Sequence, residues 1–312
     1  MSSVINVVLP VFALILLGYL CLRSGRLGPT AASELNRFVV WLGLPALLFS
    51  ITAKSTWDEI WQPGFIIAFS VGCLGVFGFT LLYRMLWQKL PLVDASLDAL
   101  GASYANTGYI GIPLCMLILG DQALQPALVS CLIVVCVLFA IALACVETGL
   151  HGGQGFGQTL RKVSLALARN PLVIAPVLGG LWAVGGAPLP VPVDTLLRLL
   201  GAAAAPCALV SLGLFLAQPQ PGGPVMGVWP LVLLKLVGQP LITWYLAAKV
   251  FHLPPMWTYS ALLLSALPTG TGPFMLAEFY GREAARVSRV VLLSTLGSLL
   301  TLSACLYLLP VD

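Results

Sequence analysis

Apolar runs long enough to cross a bilayer occupy almost the whole chain, and nothing else in the sequence narrows its fold so far. About 20 apolar residues in a helix span the ~30 Å hydrocarbon layer. Inside lipid only helices and closed barrels satisfy every backbone N–H and C=O group. Reading the runs between polar punctuation gives ten candidate spans, at 4–22, 36–53, 63–87, 94–118, 123–147, 170–186, 195–217, 225–250, 256–280 and 284–308. The composition excludes a soluble fold, since 8% of the 312 residues are charged against roughly 25% in soluble domains. The expectation is one all-α polytopic membrane domain.

The net charge of +4 comes from residues in short connecting segments. No stretch pairs dense Lys/Arg with aromatics as a nucleic-acid surface does, so lipid is the expected surrounding and nucleic acid is not a partner. No basic residue precedes the first apolar segment, which is therefore expected to be a retained helix and not a cleaved signal peptide. Eight cysteines lie scattered without a CxxC pair, and His151 and His252 have no second ligand nearby. The cysteines read as packing residues, with no metal site and no cofactor expected. Trp57, Trp61, Trp87, Trp229, Trp244 and Trp257 sit near span ends, where interfacial anchors belong.

Basic residues set the orientation. Arg23, Arg26, Arg37, Arg84, Lys89, Arg161, Lys162, Arg169, Arg282, Arg286 and Arg289 fall in the odd-numbered loops, whereas the even loops hold Lys54 and Lys249. Positive charge stays on the cytoplasmic side, which places both termini outside.

At a constant offset of 161 residues, Pro45 meets Pro206, Ser50 meets Ser211, Ala105 meets Ala266, Gly111 meets Gly272 and Gly120 meets Gly281. Two five-span repeats follow, at 1–147 and 170–312, joined by a Gly-rich flexible linker at 148–169. Five is odd, so the second repeat is inverted, as in many secondary transporters.

Spans four and nine carry clusters of helix breakers at mid-membrane depth: Asn106-Thr107-Gly108-Tyr109-Ile110-Gly111-Ile112-Pro113 and Pro268-Thr269-Gly270-Thr271-Gly272-Pro273. Proline removes a donor and glycine adds freedom, and the exposed backbone is tolerated in hydrocarbon only where it is buried in protein or lines a cavity. Each second half-helix then starts at the break with unpaired N–H groups and about half a positive charge. Two such ends can hold an anion, and Asn106 and Thr269 are expected to add side-chain hydrogen bonds. Few ionisable residues fall within the spans, and Asp98, Lys235 and Glu278 are the candidates among them. Intramembrane charges pair or face water, so Lys235 is expected to pair with Asp98 or Glu278 and to serve coupling or structure.

Two other classes compete with a carrier. Gly101-Ala102-Ser103-Tyr104 resembles the GxS core of an intramembrane hydrolase, but His252 lies at the opposite end of its span from where a base is needed. An ion channel requires a charge ring or filter, and neither is present.

Asn106-Thr107 with Gly111-Ile112-Pro113-Leu114, Leu267-Pro268 with Gly270 and Pro273-Phe274, Ser211-Leu212-Gly213-Leu214-Phe215-Leu216 and Leu44-Pro45-Ala46-Leu47-Leu48-Phe49 resemble the auxin efflux carrier family over essentially the whole chain. The resemblance implies ten helices in two inverted repeats, akin to bile-acid/sodium symporters and sodium/proton antiporters. Helices one, two, six and seven would form a scaffold that also dimerises. Helices three to five and eight to ten would form a moving transport domain, with Asn106, Pro113, Pro268 and Pro273 marking the crossover. The absence of a large hydrophilic loop after span five points to the bacterial branch, which resembles malonate, malate or other carboxylate permeases. Plant members carry Pro and Gln where this chain has Ala105 and Thr269, and an acidic residue in span three that this chain lacks. Proton or sodium coupling would therefore use Asp98, Glu278 or another group, or transport would be uncoupled.

The orientation is checked by cysteine labelling on a cysteine-free background. Lys162→Cys is expected to resist an impermeant thiol reagent added outside intact cells, and its labelling would reverse the topology.

Overall fold

The computed structural model describes residues 2–28, 30–56, 60–150, 156–218, 227–282 and 284–308. Among them no strand occurs, and thirteen helices follow in order. They are α1 (Ser2–Arg23), α2 (Ala31–Lys54), α3 (Pro63–Leu86), α4 (Leu92–Ser103), α5 (Thr107–Leu119), α6 (Asp121–Leu150) and α7 (Phe156–Ala168). Then come α8 (Pro171–Val184), α9 (Val191–Ala217), α10 (Val228–Val250), α11 (Pro255–Ser265), α12 (Gly272–Phe279) and α13 (Ala284–Leu308). Six of them, α2, α3, α6, α9, α10 and α13, are long and apolar enough to cross a membrane. The chain is a polytopic helical membrane protein.

Three helices contain a wide turn with the same local cause. Gly43-Leu44-Pro45, Gly111-Ile112-Pro113 and Gly238-Gln239-Pro240 each end a π turn, at Val39–Gly43, Thr107–Gly111 and Leu234–Gly238. Proline cannot donate to the carbonyl four residues back and its ring collides with it. Widening the preceding turn accommodates both effects without ending the helix. Pro45 thus sits just after a π turn within α2, while Pro206 lies inside the continuous α9.

The segment 148–169 departs from the flexible linker expected of it. Its stretch 151–155, with His151, lies outside the described residues, as does Trp57. Phe156–Ala168 is helical, and Lys162 Nζ donates to Glu147 Oε2 at 2.6 Å. Glycine content argued for flexibility, but Leu160, Val163 and Leu167 recur at helical spacing.

The residues fall into two compact units. One comprises 1–62, 108–129 and 169–219, and so holds α1, α2, α8, α9 and nearly all of α5. Its helices pack through small residues that bring backbones together. A Cβ on Gly213 of α9 would collide with the Ile15 carbonyl and lie 2.9 Å from the Tyr19 nitrogen of α1. The reciprocal contact is Gly18 of α1, whose added Cβ would collide with the Val210 carbonyl of α9. Lipid is as apolar as leucine, so helix association here rests on such close packing and not on exclusion of water. Side chains add ties: Ser211 Oγ donates to the Ala32 carbonyl at 3.0 Å, Lys54 pairs with Asp194 at 2.5 Å, and the Tyr109 hydroxyl donates to Asn36 Oδ1.

The other unit comprises 63–107, 130–168 and 220–312, with α3, α4, α7 and α10 to α13. Val76, Ala102, Val228, Leu231, Val232, Leu236 and Val290 form its apolar centre. Beside it runs an ion-pair network. Asp98 of α4, 3% exposed, takes Arg84 Nε at 3.1 Å and Arg286 Nη1 at 3.0 Å. The buried Arg84 also donates to the Gly227 carbonyl at 2.7 Å and to Gln88. Arg282 meets Asp94 in a two-pronged pair at 3.0 and 2.6 Å, which pushes the guanidinium pKa above its usual value through that hydrogen bonding and charge. Glu147 accepts from the Tyr280 hydroxyl as well as from Lys162.

Two outcomes follow from this packing. Gly213→Val is expected to lower stability by about 1–3 kcal/mol, the usual cost of overpacking, read as a fall in melting temperature of detergent-purified protein. An unchanged melting temperature would mean that α1 and α9 do not approach so closely. Asp98→Asn strands Arg84 as an unpaired buried cation and is expected to cost about 3–5 kcal/mol. A variant as stable as the parent would remove the network from the list of things that hold this unit together.

Candidate functional site

Neither predicted breaker cluster forms an uninterrupted helix. α4 stops at Ser103 and α5 begins at Thr107, while α11 stops at Ser265 and α12 begins at Gly272. The two linking strips pass each other antiparallel at Ala105 and Thr269. Asn106 N–H donates to the Pro268 carbonyl at 2.9 Å, and Gly270 N–H donates to the Tyr104 carbonyl at 3.0 Å. Each strip supplies donors and acceptors that the other has lost with its helix. This exchange is how non-helical backbone survives in an apolar interior.

Thr269 is the knot of the crossing. Fully buried, it donates its hydroxyl proton to the Gly101 carbonyl of α4 at 2.7 Å, and its N–H goes to Ser294 Oγ of α13 at 3.0 Å. A threonine hydroxyl has one proton to give. In this arrangement it cannot also donate to a bound anion, which differs from the role the sequence suggested. Thr269 ties the crossing together, and Asn106, 5% exposed, is buried within it.

Gly270 and Gly272 are required by Tyr104. A Cβ on Gly270 would stand 3.1 Å from the ring and one on Gly272 2.8 Å from it. The tyrosine ring also meets Phe139 edge-on at 6.1 Å between centroids. Pro268 and Pro273 are buried, Thr271 is half-buried and precedes the first turn of α12, and Thr107 hydrogen-bonds the Cys131 thiol. The crossing residues Asn106, Thr107, Pro268, Thr269, Gly270, Thr271, Gly272 and Pro273 thus share one unit. Gly108, Tyr109, Gly111 and Pro113 belong to the other, where Tyr109 is engaged with Asn36.

The charged candidates separate. Asp98 is held by Arg84 and Arg286, and Glu278 is exposed on α12. Lys235 approaches neither: its ammonium, fully buried, donates to the Ser265 carbonyl at 2.7 Å. Guanidinium groups from two helices meet at Asp98 Oδ2, whereas Lys235 turns to the end of α11. Sequence reading missed Arg84, Arg286, Glu147, Ser265 and Ser294. Three of these are charged residues near span ends, indistinguishable in sequence from interfacial ones, and the serines look like small packing residues. A cavity of about 330 Å3 opens beside the network, with Asp94, Asp98, Arg282 and Arg286 on its wall.

Comparison with known proteins fits this arrangement. A family described as "Membrane transport protein" matches residues 3–152 and 155–306. A "Putative malonate transporter" of Rhizobium meliloti is 31% identical, covering 99% of this chain and 97% of that protein. The "Uncharacterized transporter YfdV" of Escherichia coli is 25% identical over 96% of this chain and 95% of its own length. "Auxin efflux carrier component 8" of Arabidopsis thaliana is 25% identical over 98% and 97%. The chain therefore belongs to the membrane transport protein family that includes the auxin efflux carriers, and it is a multi-pass membrane transporter and not an enzyme.

Proposed function

We propose that this transporter carries a small organic anion across the cytoplasmic membrane, a mono- or dicarboxylate such as malonate or malate, or an auxin-like acid. The observation that carries the reading is the crossing of two interrupted helices around buried Asn106, within one compact unit. Backbone N–H groups at the start of α12 and the Asn106 amide offer donors suited to a carboxylate, while the field of the half-helix favours negative charge. Similarity to a protein named as a malonate transporter supports the dicarboxylate choice.

The mechanism we propose is elevator-type alternating access in a ten-helix inverted repeat. The unit of residues 63–107, 130–168 and 220–312 would carry the site. The unit of residues 1–62, 108–129 and 169–219 would serve as the scaffold and, by family likeness, the dimer contact. That partition largely follows the scaffold and transport helices implied by the resemblance, which supports the reading. The carrier would sit in the inner membrane with both termini outside.

Counterflow in proteoliposomes with labelled mono- and dicarboxylates tests the function: exchange of at least one acid is expected, and failure of all of them refutes it. A hydrogen bond to a charged group contributes about 1.5–3 kcal/mol, so Asn106→Ala is expected to weaken affinity roughly tenfold to a hundredfold. Thr269→Val, which removes a tie and not a ligand, is expected to lower stability more than affinity. Unchanged binding and transport in well-folded Asn106→Ala protein would move the site elsewhere.

A further inference from the structure

Lys235 is a wholly buried cation with no carboxylate beside it among the described residues. Arg84, Arg282, Arg286 and Lys162 of the same unit each have an acidic partner. Among the described residues no Asp or Glu lies within ion-pair distance of Lys235, whose ammonium is wholly buried in α10. It is held by the Ser265 carbonyl, the last of α11, and the Cys73 thiol lies beside it. One turn further along α10, Gln239 is also wholly buried; it donates Nε2 to Cys73 Sγ at 3.0 Å and leaves its Oε1 without a donor.

An ammonium at a helix C-terminus is attracted by about half a negative charge. That leaves part of its own charge uncompensated, at the carbonyl of Ser265, which lies four residues along the chain from Thr269 at the crossing. A bound anion would complete the balance. A neutral hydrogen-bond donor could satisfy the Ser265 carbonyl equally well, so capping alone does not account for a lysine at this position.

Resting on the anion-carrier reading above, we infer that Lys235 is a fixed counter-charge for the transported anion, and that it makes the carrier favour doubly over singly charged acids. The charge acts within the same unit as the Asn106 crossing, so it stays with the site. It sets charge preference, while the crossing supplies the hydrogen bonds.

The test measures binding of malonate and of its monoamide malonamate, which has nearly the same shape and one charge fewer, to purified full-length protein. The parent is expected to bind malonate at least tenfold more tightly. Lys235→Gln keeps a donor for Ser265 and removes the charge. It is expected to lose at least tenfold in malonate affinity but less than threefold for malonamate, collapsing the preference. Equal losses for both ligands would mean a merely structural cap, and unchanged malonate affinity would mean no role in binding; either overturns the inference. Should Lys235→Gln not purify as folded protein, Lys235→Arg becomes the readout: it must keep the malonate preference, and losing it overturns the inference. If the parent binds and exchanges no carboxylate at all, the carrier reading itself falls, whereas binding without charge preference sinks only the counter-charge.

Discussion

A carbonyl released at a helix end inside an apolar interior must find a donor, and the structure of one whole unit is organised around that requirement. Two helices stop in mid-course, at Ser103 and at Ser265. The first end is met by the hydroxyl of Thr269 at the Gly101 carbonyl, the second by the ammonium of Lys235 at the Ser265 carbonyl. Between them, the two linking strips exchange backbone hydrogen bonds, Asn106 to Pro268 and Gly270 to Tyr104. Remove any of these and a polar group is left buried without a partner, at a cost of about 1–3 kcal/mol. The crossing is therefore held by mutual satisfaction of its broken ends, and its rigidity is what allows a small polar centre to persist in a membrane protein.

The two caps are chemically unequal. Thr269 contributes a neutral dipole, with its proton committed to the Gly101 carbonyl near the end of α4. Lys235 contributes an amino group that no acid approaches among the described residues. Elsewhere in the unit, charge is neutralised with some redundancy, since Asp98 alone is approached by two guanidinium groups. Burying ions in pairs limits their desolvation cost.

Packing in the two units follows different rules. In the unit of α1, α2, α8 and α9, glycines let backbones touch, as at Gly18 and Gly213. In the unit of α3, α4 and α10 to α13, ion pairs and capped ends do more of the work. Gly72 of α3 shows that the second kind also uses close approach, since a Cβ there would run into the Thr243 hydroxyl. The π turns before Pro45, Pro113 and Pro240 are common to both units, because a Gly-X-Pro triplet imposes the same backbone problem wherever it occurs.

The amino-acid sequence by itself determined the apolar helices, the interruption of the fourth and ninth segments, the family and the transporter class. Each of these depends on local chemistry: length of an apolar run, position of Pro and Gly, a short motif. Only the tertiary structure decided who partners whom. Asp98, Lys235 and Glu278 read alike in sequence, as lone charges in apolar stretches. The fold gave Asp98 two arginines, left Glu278 exposed and turned Lys235 to a main-chain carbonyl. Thr269 reads in sequence as a ligand donor, whereas in the fold its hydroxyl donates to the carbonyl of Gly101, 168 residues away in the chain. Pairings across such separations depend on where distant helices pack, and no local pattern carries that information.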